Sequence, residues 1–401
     1  MTVKSTVLIH CGVAVTRAGV LADGVLRRLY VGPARGDETD DEAPQLGDKF
    51  FGRVRLVDKT LSGAFVDIGA AAEAFLPLKG APKTAKPPAE GALVAVQVRR
   101  PAIAGKGAVV ALADPSGDGA RVPGRMAPPA DAATAPLLLA DFQGADEIIC
   151  DAAAAIHPIE ATATAGDQQP PKISVDIDAV REAGLGEAVD AALEAVEPIA
   201  GGARMIFAET AGGCVVDIDA GGAGFAGGGA HKANDRVNTA AAKALAGALG
   251  RRGIGGGVVV DFLPPSSRAA RDRLLSLLRD EGHAAGGARL GPLSDGGVAV
   301  LSRPRLTRSL LEQASEPAGD GWARMGRRLT TRWQAAHAID ALEAVLARRP
   351  RATPQLFVGR ALASFIEDKP HWPARLADRY GARFKIDQNA ALEARSYDVA
   401  E

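Results

Sequence analysis

The sequence predicts a multi-domain α+β protein in which a small β-barrel precedes an α/β layer and a small C-terminal α/β unit. Five short apolar runs follow one another between positions 47 and 114. Strand-like and helix-like patterns then alternate from position 205 to position 301. The segment 350–401 contains four prolines and shows the same α/β pattern on a smaller scale.

The composition limits the class of protein. The chain has 401 residues and a net charge of -1, with 47% hydrophobic and 24% charged residues, as in soluble proteins of two or three domains. No apolar run reaches the roughly 18 residues of a membrane span, and His10 and Arg17 interrupt any signal-peptide core. Cys11, Cys150 and Cys214 form no CxxC pair, which argues against a disulfide framework and a structural zinc site. We therefore expect a cytoplasmic protein without membrane association.

The near-zero net charge hides a division along the chain. Residues 44–115 carry 10 basic and 6 acidic side chains, residues 116–230 carry 5 and 18, and residues 251–351 carry 17 and 10. Two basic segments thus flank an acidic one, and a polyanion could bind the basic segments alone. Composition by itself favours the simpler interpretation, in which these are solvated faces of arginine-rich helices.

The first third of the chain has a β pattern. Positions 6–31 predict two or three strands with turns at Gly19 and at Asp23-Gly24. An acidic loop follows, and then five more strands are predicted, over 51–57, 63–68, 74–78, 93–98 and 109–112. Five strands within about 70 residues are typical of a small OB-type barrel. Three lysines and three prolines in 79–90 predict a basic loop of that barrel.

The second half alternates helices and strands. The apolar spacing predicts helices over 182–196, 234–249 and 268–281, and strands over 205–208, 214–218, 257–262 and 297–301. Residues 115–145, 163–173 and 312–321 lack periodicity and predict loops or linkers, and 322–349 is predicted to be largely helical.

A glycine-rich stretch lies between a predicted strand and a predicted helix. Gly222, Gly224 and Gly227 match GxGxxG, a spelling found in dinucleotide-binding folds. The acidic residue expected about 20 positions later is missing. A flexible loop is therefore favoured over a Rossmann turn.

Three aspartates end two of the predicted strands. Asp217 and Asp219 lie on one face of the strand that they end, because side chains alternate with period two, and Asp261 ends the next buried strand. Neighbouring strands that end in carboxylates form an oxygen-ligand site for Mg²⁺ or Mn²⁺, since the cation relieves their mutual repulsion. The alternative is that these aspartates cap the turns that follow.

Two aromatic residues lie in strands of the predicted barrel. Phe65 and Phe75 could stack on nucleobases, with Arg53 and Lys106 as nearby phosphate ligands. The alternative places one or both rings in the barrel core.

Several of these motifs, in this order, resemble the ribonuclease E/G family. The barrel motifs are Phe65–Gly69, Ala74–Leu78 and Gly105–Ala108. Those of the second half are Asp217–Asp219, Gly253–Phe262 and Leu301–Leu306. The resemblance extends in outline over nearly the whole chain and implies an OB-fold barrel inserted in an RNase H-like domain. An α/β catalytic domain and a small C-terminal α/β domain follow.

The resemblance also implies domain limits. They are 1–43 for the first part of the RNase H-like domain, 44–114 for the OB fold, 115–136 for a remnant of the 5′-sensor region, 137–199 for the second part of the RNase H-like domain, 200–311 for the catalytic domain, 312–330 for a linker and 331–401 for the C-terminal domain.

The family hydrolyses single-stranded RNA internally and leaves 5′-phosphate and 3′-hydroxyl ends. By resemblance, Asp217 and Asp261 are its metal-binding aspartates, with Asp219 as a further catalytic residue and Mg²⁺, or Mn²⁺ in its place, as the cofactor. Phe65, Phe75, Lys106, Arg53 and Arg289 are, by the same resemblance, RNA-binding residues.

Three departures from the family pattern separate two hypotheses. Asp219 stands where the family has Asn, the Cys-Pro-x-Cys zinc link is absent after Leu311, and the 5′-sensor region is short, with only Arg121 and Arg125 as basic residues. We expect no structural zinc, which leaves room for a homo-oligomer assembled without a zinc link. Retention of Asp217 and Asp261 favours a metal-dependent endoribonuclease. The glycine- and alanine-rich loops favour a non-catalytic RNA-binding protein.

Overall fold

A computed structural model describes residues 4–34, 44, 46–78, 88–102, 107–113, 122–126, 141, 144–156, 160, 171–210, 212–222, 230–284, 288–305, 307–318 and 326–400. The strands are β1 (Ser5–Cys11), β2 (Val15–Ala22), β3 (Val25–Pro33), β4 (Lys49–Asp58), β5 (Gly63–Asp67), β6 (Ala74–Pro77), β7 (Leu93–Arg100), β8 (Val109–Leu112), β9 (Gly124–Arg125), β10 (Glu147–Cys150), β11 (Lys172–Val175), β12 (Val196–Pro198), β13 (Arg204–Thr210), β14 (Gly213–Asp219), β15 (Gly256–Asp261), β16 (Arg289–Leu293), β17 (Val298–Arg303), β18 (Ser315–Pro317), β19 (Arg327–Leu329), β20 (Gln355–Val358), β21 (Lys385–Gln388) and β22 (Tyr397–Ala400). The helices are α1 (Ile177–Glu182), α2 (Leu185–Leu193), α3 (Ala230–Arg251), α4 (Arg268–Ala284), α5 (Leu310–Ala314), α6 (Thr331–Arg348), α7 (Arg360–Glu367) and α8 (His371–Tyr380).

The first sheet joins two distant parts of the chain. Its strand order is β11-β10-β1-β2-β3, with β10 parallel to β1 and to β11. Asp23 and Gly24 form the two-residue β2–β3 turn, both with positive φ, as a type I′ hairpin requires. The predicted turn at Gly19 is wrong, because Gly19 lies within β2. A side chain there would collide with Leu185 of α2, so the glycine lets the helix pack closely on the sheet.

The barrel strands lie in the chain between β3 and β10. Strand β4 pairs with both β5 and β7, and β6 and β8 complete a closed five-stranded barrel of OB-like form. The interior is filled by alternate residues such as Val54, Val66 and Leu76. All five predicted strands are confirmed. The short strand β9, which the sequence did not predict, extends the barrel sheet along β4.

The α/β layer has one covered face and one open face. Its sheet has the order β12-β13-β14-β15-β17-β16, in which only the pair β14–β15 is parallel. Helices α3 and α4 cover one face through apolar residues including Val237, Leu245 and Leu274. The same core holds Val216, Val258 and Val260 of the sheet. The alternate residues of β14, β15 and β17 therefore point to the opposite face, which is called the open face because no described helix covers it.

Helix α3 also connects this layer to the first sheet. A side chain at Gly250 would lie 2.3 Å from the carbonyl oxygen of Arg27, so the glycine permits close contact with β3. At the end of α3, the buried guanidinium of Arg252 donates to the carbonyls of Ala192 and Glu194 and lies over the ring of Phe207.

The predicted helix over 182–196 is wrong in its extent. Gly184 adopts a left-handed conformation with φ of 59° and separates α1 from α2. Val196, which the spacing assigned to the helix, lies in β12.

The predicted linker over 312–321 is also partly wrong, because it contains the end of α5 and the strand β18, which pairs with β19.

The C-terminal unit packs against the loop after β1. Its three-stranded sheet has the order β21-β20-β22, and α6, α7 and α8 share a core with Val13 and Ala14. Among the described residues no helix is both long enough and apolar enough to cross a lipid bilayer.

Glu343 is the buried charge at this junction. It is 4% exposed, accepts a 2.9 Å hydrogen bond from the Val13 amide, and also accepts from Arg379 at 2.7 Å and from the Tyr380 hydroxyl at 3.1 Å. A single carboxylate thus connects the N-terminal sheet to two positions on α8.

We predict that Glu343→Leu lowers the free energy of unfolding by about 2–3 kcal/mol, because the Val13 amide and the Tyr380 hydroxyl lose this acceptor and Arg379 keeps only the Cys11 carbonyl. Urea denaturation followed by tryptophan fluorescence measures this, since Trp372 is buried in the same core. Glu343→Gln keeps an acceptor oxygen and should cost less. Equal stabilities of Glu343→Leu and the wild type would contradict the prediction.

Candidate functional site

Asp217 and Asp261 are direct partners in the β14–β15 ladder. In the parallel register Cys214 pairs with Val258, and three residues further Asp217 pairs with Asp261. Because strands in a sheet lie about 4.8 Å apart, the two carboxylates start from neighbouring positions at the carboxyl ends of the strands. Both side chains are exposed on the open face. The sequence predicted both strand ends, and the structure brings them together.

The charges of this pair disfavour each other. The pKa of Asp217 is raised, first by partial burial and then by the negative charges of Asp261 and Asp219. A group with a raised pKa holds its proton to higher pH. A divalent cation held by this pair would compete with that proton, and its binding would weaken as the pH falls.

Asp219 lies two residues beyond Asp217 on the same face, and its charge is compensated. Arg204 donates to it from Nη2 at 2.5 Å and from Nε at 2.8 Å, and the Gly221 amide donates at 2.8 Å. These contacts, the backbone amide first, lower the pKa of Asp219. Sequence reasoning missed Arg204. The signal was available, because the hairpin that pairs Thr210 with Gly213 also pairs Arg204 with Asp219.

The two carboxylates suit a magnesium ion, which needs few protein ligands, better than a metal that is held entirely by protein side chains. Within the part of the chain that the structure describes, no group of three or more His, Cys, Asp or Glu side chains is placed to hold a metal. Mg²⁺ is usually held by one or two carboxylates together with waters and substrate phosphates. An exposed pair on an open sheet face meets that requirement and leaves room for a phosphodiester.

The open face beside the aspartates is apolar. Val215 pairs with Val259, which pairs with Val300, and each of the three is more than a third exposed. Arg289 lies on this face but not beside the carboxylates. It pairs with Ser302, four residues along β17 from Val298, the partner of Asp261. Four residues span roughly 13 Å, so Arg289 could contact only a different part of a bound strand.

The barrel displays Phe65 and Phe75 on its outer surface. The two residues are ladder partners, their ring centroids are 5.6 Å apart in an edge-to-face arrangement, and both rings are partly exposed. The barrel core is built by their neighbours Ala64, Val66 and Leu76. The alternative that the rings are core is therefore not supported.

An exposed leucine and two arginines lie on β4, the strand that pairs with β5. The exposed Leu56 pairs with Phe65 and adds an apolar side chain beside the two rings. Arg53 donates to the Gly91 carbonyl at 3.0 Å, and Arg55 pairs with Asp67 at 2.5 Å. Lys106 lies outside the described residues, as do residues 223–229 of the GxGxxG stretch and most of 115–136.

We predict that Asp261→Asn lowers the pKa of Asp217 in the metal-free protein, because it removes the larger of the two neighbouring charge effects. Asp219→Asn should lower it less. Carboxyl ¹³C NMR titration in EDTA measures both, with the exposed Asp272→Asn as control. An unchanged pKa in Asp261→Asn would show that the two carboxylates do not interact.

Part of the chain matches a known protein family. No curated protein matches the chain significantly. Residues 134–306 match the model of the Ribonuclease E/G family, a range that contains strands β10 to β17 and both aspartates. The match is shorter than the span of the sequence resemblance, which included the barrel and the C-terminal unit. Over residues 134–306 the resemblance to the ribonuclease E/G family is confirmed.

Proposed function

We propose that the protein is a metal-dependent endoribonuclease that cleaves single-stranded RNA and leaves 5′-phosphate and 3′-hydroxyl ends. The match of residues 134–306 to a ribonuclease family supports a role in RNA processing or decay. The observation that supports metal-dependent cleavage is the pairing of Asp217 with Asp261 on the open face of the sheet, within the residues that match the family.

The residues at this edge of the sheet would hold the metal ion, adjust the local charge and contact the RNA. Asp217 and Asp261 would hold Mg²⁺, which when bound polarises a phosphoryl oxygen and lowers the pKa of a water. Around this pair, the ion pair with Arg204 reduces the contribution of Asp219 to the local repulsion. Val215, Val259 and Val300 form an apolar surface on which a base or ribose next to the scissile phosphate could pack.

The barrel is the proposed clamp for the RNA. Its outer row of Phe65 and Phe75 offers ring faces to bases, and Arg53 offers a charge to the backbone. We assign the sheet β11-β10-β1-β2-β3 to the RNase H-like domain, since the barrel strands interrupt the chain between β3 and β10. The two basic segments found in the sequence then contain the barrel and, of the nuclease layer, β15, β16, β17 and α4.

A protein that binds RNA without cutting it is the second candidate. The observation that favours it is Asp219, an ion-paired carboxylate where the family pattern has an amide. Incubation of a labelled single-stranded RNA with the protein, in Mg²⁺ and in EDTA, separates the two. Binding with no cleavage in Mg²⁺ or Mn²⁺ would favour the binder.

We predict that Asp217→Asn and Asp261→Asn each abolish Mg²⁺-dependent cleavage while RNA affinity stays within a few fold, because the carboxylates ligate the cation and do not hold the RNA. Cleavage assays and fluorescence anisotropy on the same RNA measure the two properties. Asp272→Asn is the matched control. Cleavage that survives either site substitution, or that persists in EDTA, would exclude the two-aspartate site.

We predict that Phe65→Ala combined with Phe75→Ala weakens RNA binding by roughly 1–3 kcal/mol per base that loses its stacking partner. The fold should persist, because the rings lie outside the barrel core. Arg53→Ala or Lys106→Ala should instead reduce the slope of log affinity against log salt by about 0.7 each. Unchanged RNA affinity in a folded double variant would contradict the proposal that the barrel binds the RNA through these rings.

We also predict that cleavage is independent of the 5′ end of the RNA. The segment 115–136 has few basic residues and lies in the acidic third of the chain, so a terminal phosphate dianion would be repelled there. Matched RNAs with a 5′-monophosphate, a 5′-hydroxyl or a circular backbone should be cut at similar rates. A preference for the monophosphate of about tenfold or more would contradict this.

A further inference from the structure

Asn238 is a buried polar residue on the apolar face of α3. It is 2% exposed, although its neighbours on that face, such as Val237 and Ala241, belong to the hydrophobic core. Its Nδ2 donates to the Leu263 carbonyl at 2.7 Å, and its Oδ1 accepts from the Leu263 amide at 3.1 Å. Both polar atoms of one buried side chain are thus bound to the backbone of one residue.

Leu263 lies two residues beyond Asp261, where the sheet ladder has ended. At this point the chain is held from two sides. The Phe262 amide donates to the Gly297 carbonyl at 3.2 Å, and a side chain at Gly297 would lie 2.4 Å from the Phe262 carbonyl oxygen. On the opposite side Asn238 is the buried anchor for Leu263.

The same helix holds the next residues of this segment. Asn234 donates to the Pro264 carbonyl at 3.4 Å, and Asp235 accepts from the Ser266 amide at 3.0 Å. Helix α3 is the element that connects β14 to β15. The connection between the two aspartate-bearing strands therefore also fixes the path of the chain as it leaves Asp261.

No apolar residue could replace this contact. Without the amide, the Leu263 N–H and C=O would lose their partners in a partly buried position, where an unmade hydrogen bond is costly. The backbone would shift to recover them, and Asp261 is the nearest functional side chain. Ligand groups need their supporting contacts to keep a productive geometry.

We propose that Asn238 is a positioning residue that fixes the Asp261 carboxylate relative to that of Asp217 and so sets the affinity of the site for a divalent cation. This inference rests on the proposed function, since it assigns Asn238 to the same metal site. Asn238 would touch neither the metal nor the RNA.

The test compares Asn238→Ala and Asn238→Asp with the wild type and with Thr239→Ala. Thr239 is the exposed neighbour on α3, and its hydroxyl bonds within the helix to Asp235 O. Asn238→Asp keeps the acceptor for the Leu263 amide and loses the donor, so it carries the test if Asn238→Ala does not fold. Circular dichroism and thermal melting establish which variants are folded.

Two readouts separate positioning from a general structural role. Calorimetric titration with Mn²⁺ should show binding about 10-fold weaker or more in the folded Asn238 variants, and the Mg²⁺ concentration for half-maximal cleavage should rise in parallel. RNA affinity in EDTA should stay within about twofold. Thr239→Ala should match the wild type throughout.

Unchanged Mn²⁺ affinity and Mg²⁺ dependence in a folded Asn238 variant would overturn the proposal, even if thermal stability fell. A wild-type protein that binds no Mn²⁺ and cuts no RNA would instead refute the metal-dependent nuclease itself. The wild-type titration therefore distinguishes the failure of this inference from the failure of the proposed function.

Discussion

The parallel pairing of β14 with β15 is the constraint on which the site depends. The register is maintained by the strict alternation along both strands, in which Val216, Val258 and Val260 enter the core beneath the helices. A slip of one residue would send Asp261 into that core and Val260 onto the open face. Burying an unpaired carboxylate is far more costly than exposing a valine. The hydrophobic layer therefore enforces the position of the two charges.

The alternation also explains which part of the site the sequence could predict. Period two places Asp217 and Asp219 on one face from the letters alone, and Asp261 ends a recognisably buried strand. Which strand lies next to which is not contained in the local pattern. It depends on a connection from residue 220 to residue 255 that leads the chain through α3 to a parallel neighbour, and on a short hairpin that brings Arg204 opposite Asp219. Of these two contacts, the aspartate pair was predicted from the order of the strands along the chain, and the contact of Arg204 with Asp219 was missed.

The barrel and the helices show the same limit in another form. The alternating pattern predicted all five barrel strands, but it could not tell whether Phe65 and Phe75 face inward, since both faces of a small barrel strand carry apolar residues here. The roles of two glycines were also predicted wrongly, for a different reason. Gly19 looks like a turn residue and instead makes room for Leu185, whereas Gly184, inside an apparently continuous helical pattern, breaks the helix with a positive φ. Glycine marks a steric or conformational demand, and only the packed structure reveals which one.

Asp219 illustrates how a local change of charge can be compensated within a hairpin. Where the family pattern has a neutral amide, this chain has a carboxylate, which alone would place a third negative charge next to Asp217 and Asp261. The guanidinium of Arg204 binds that carboxylate directly, and the pair together carries no net charge. An exposed ion pair contributes little to stability, so its consequence here lies in the local field. Within the described part of the chain, Asp217 and Asp261 are then the two carboxylates at this edge without an ion pair, and their charge is the one that the proposed magnesium ion would neutralise.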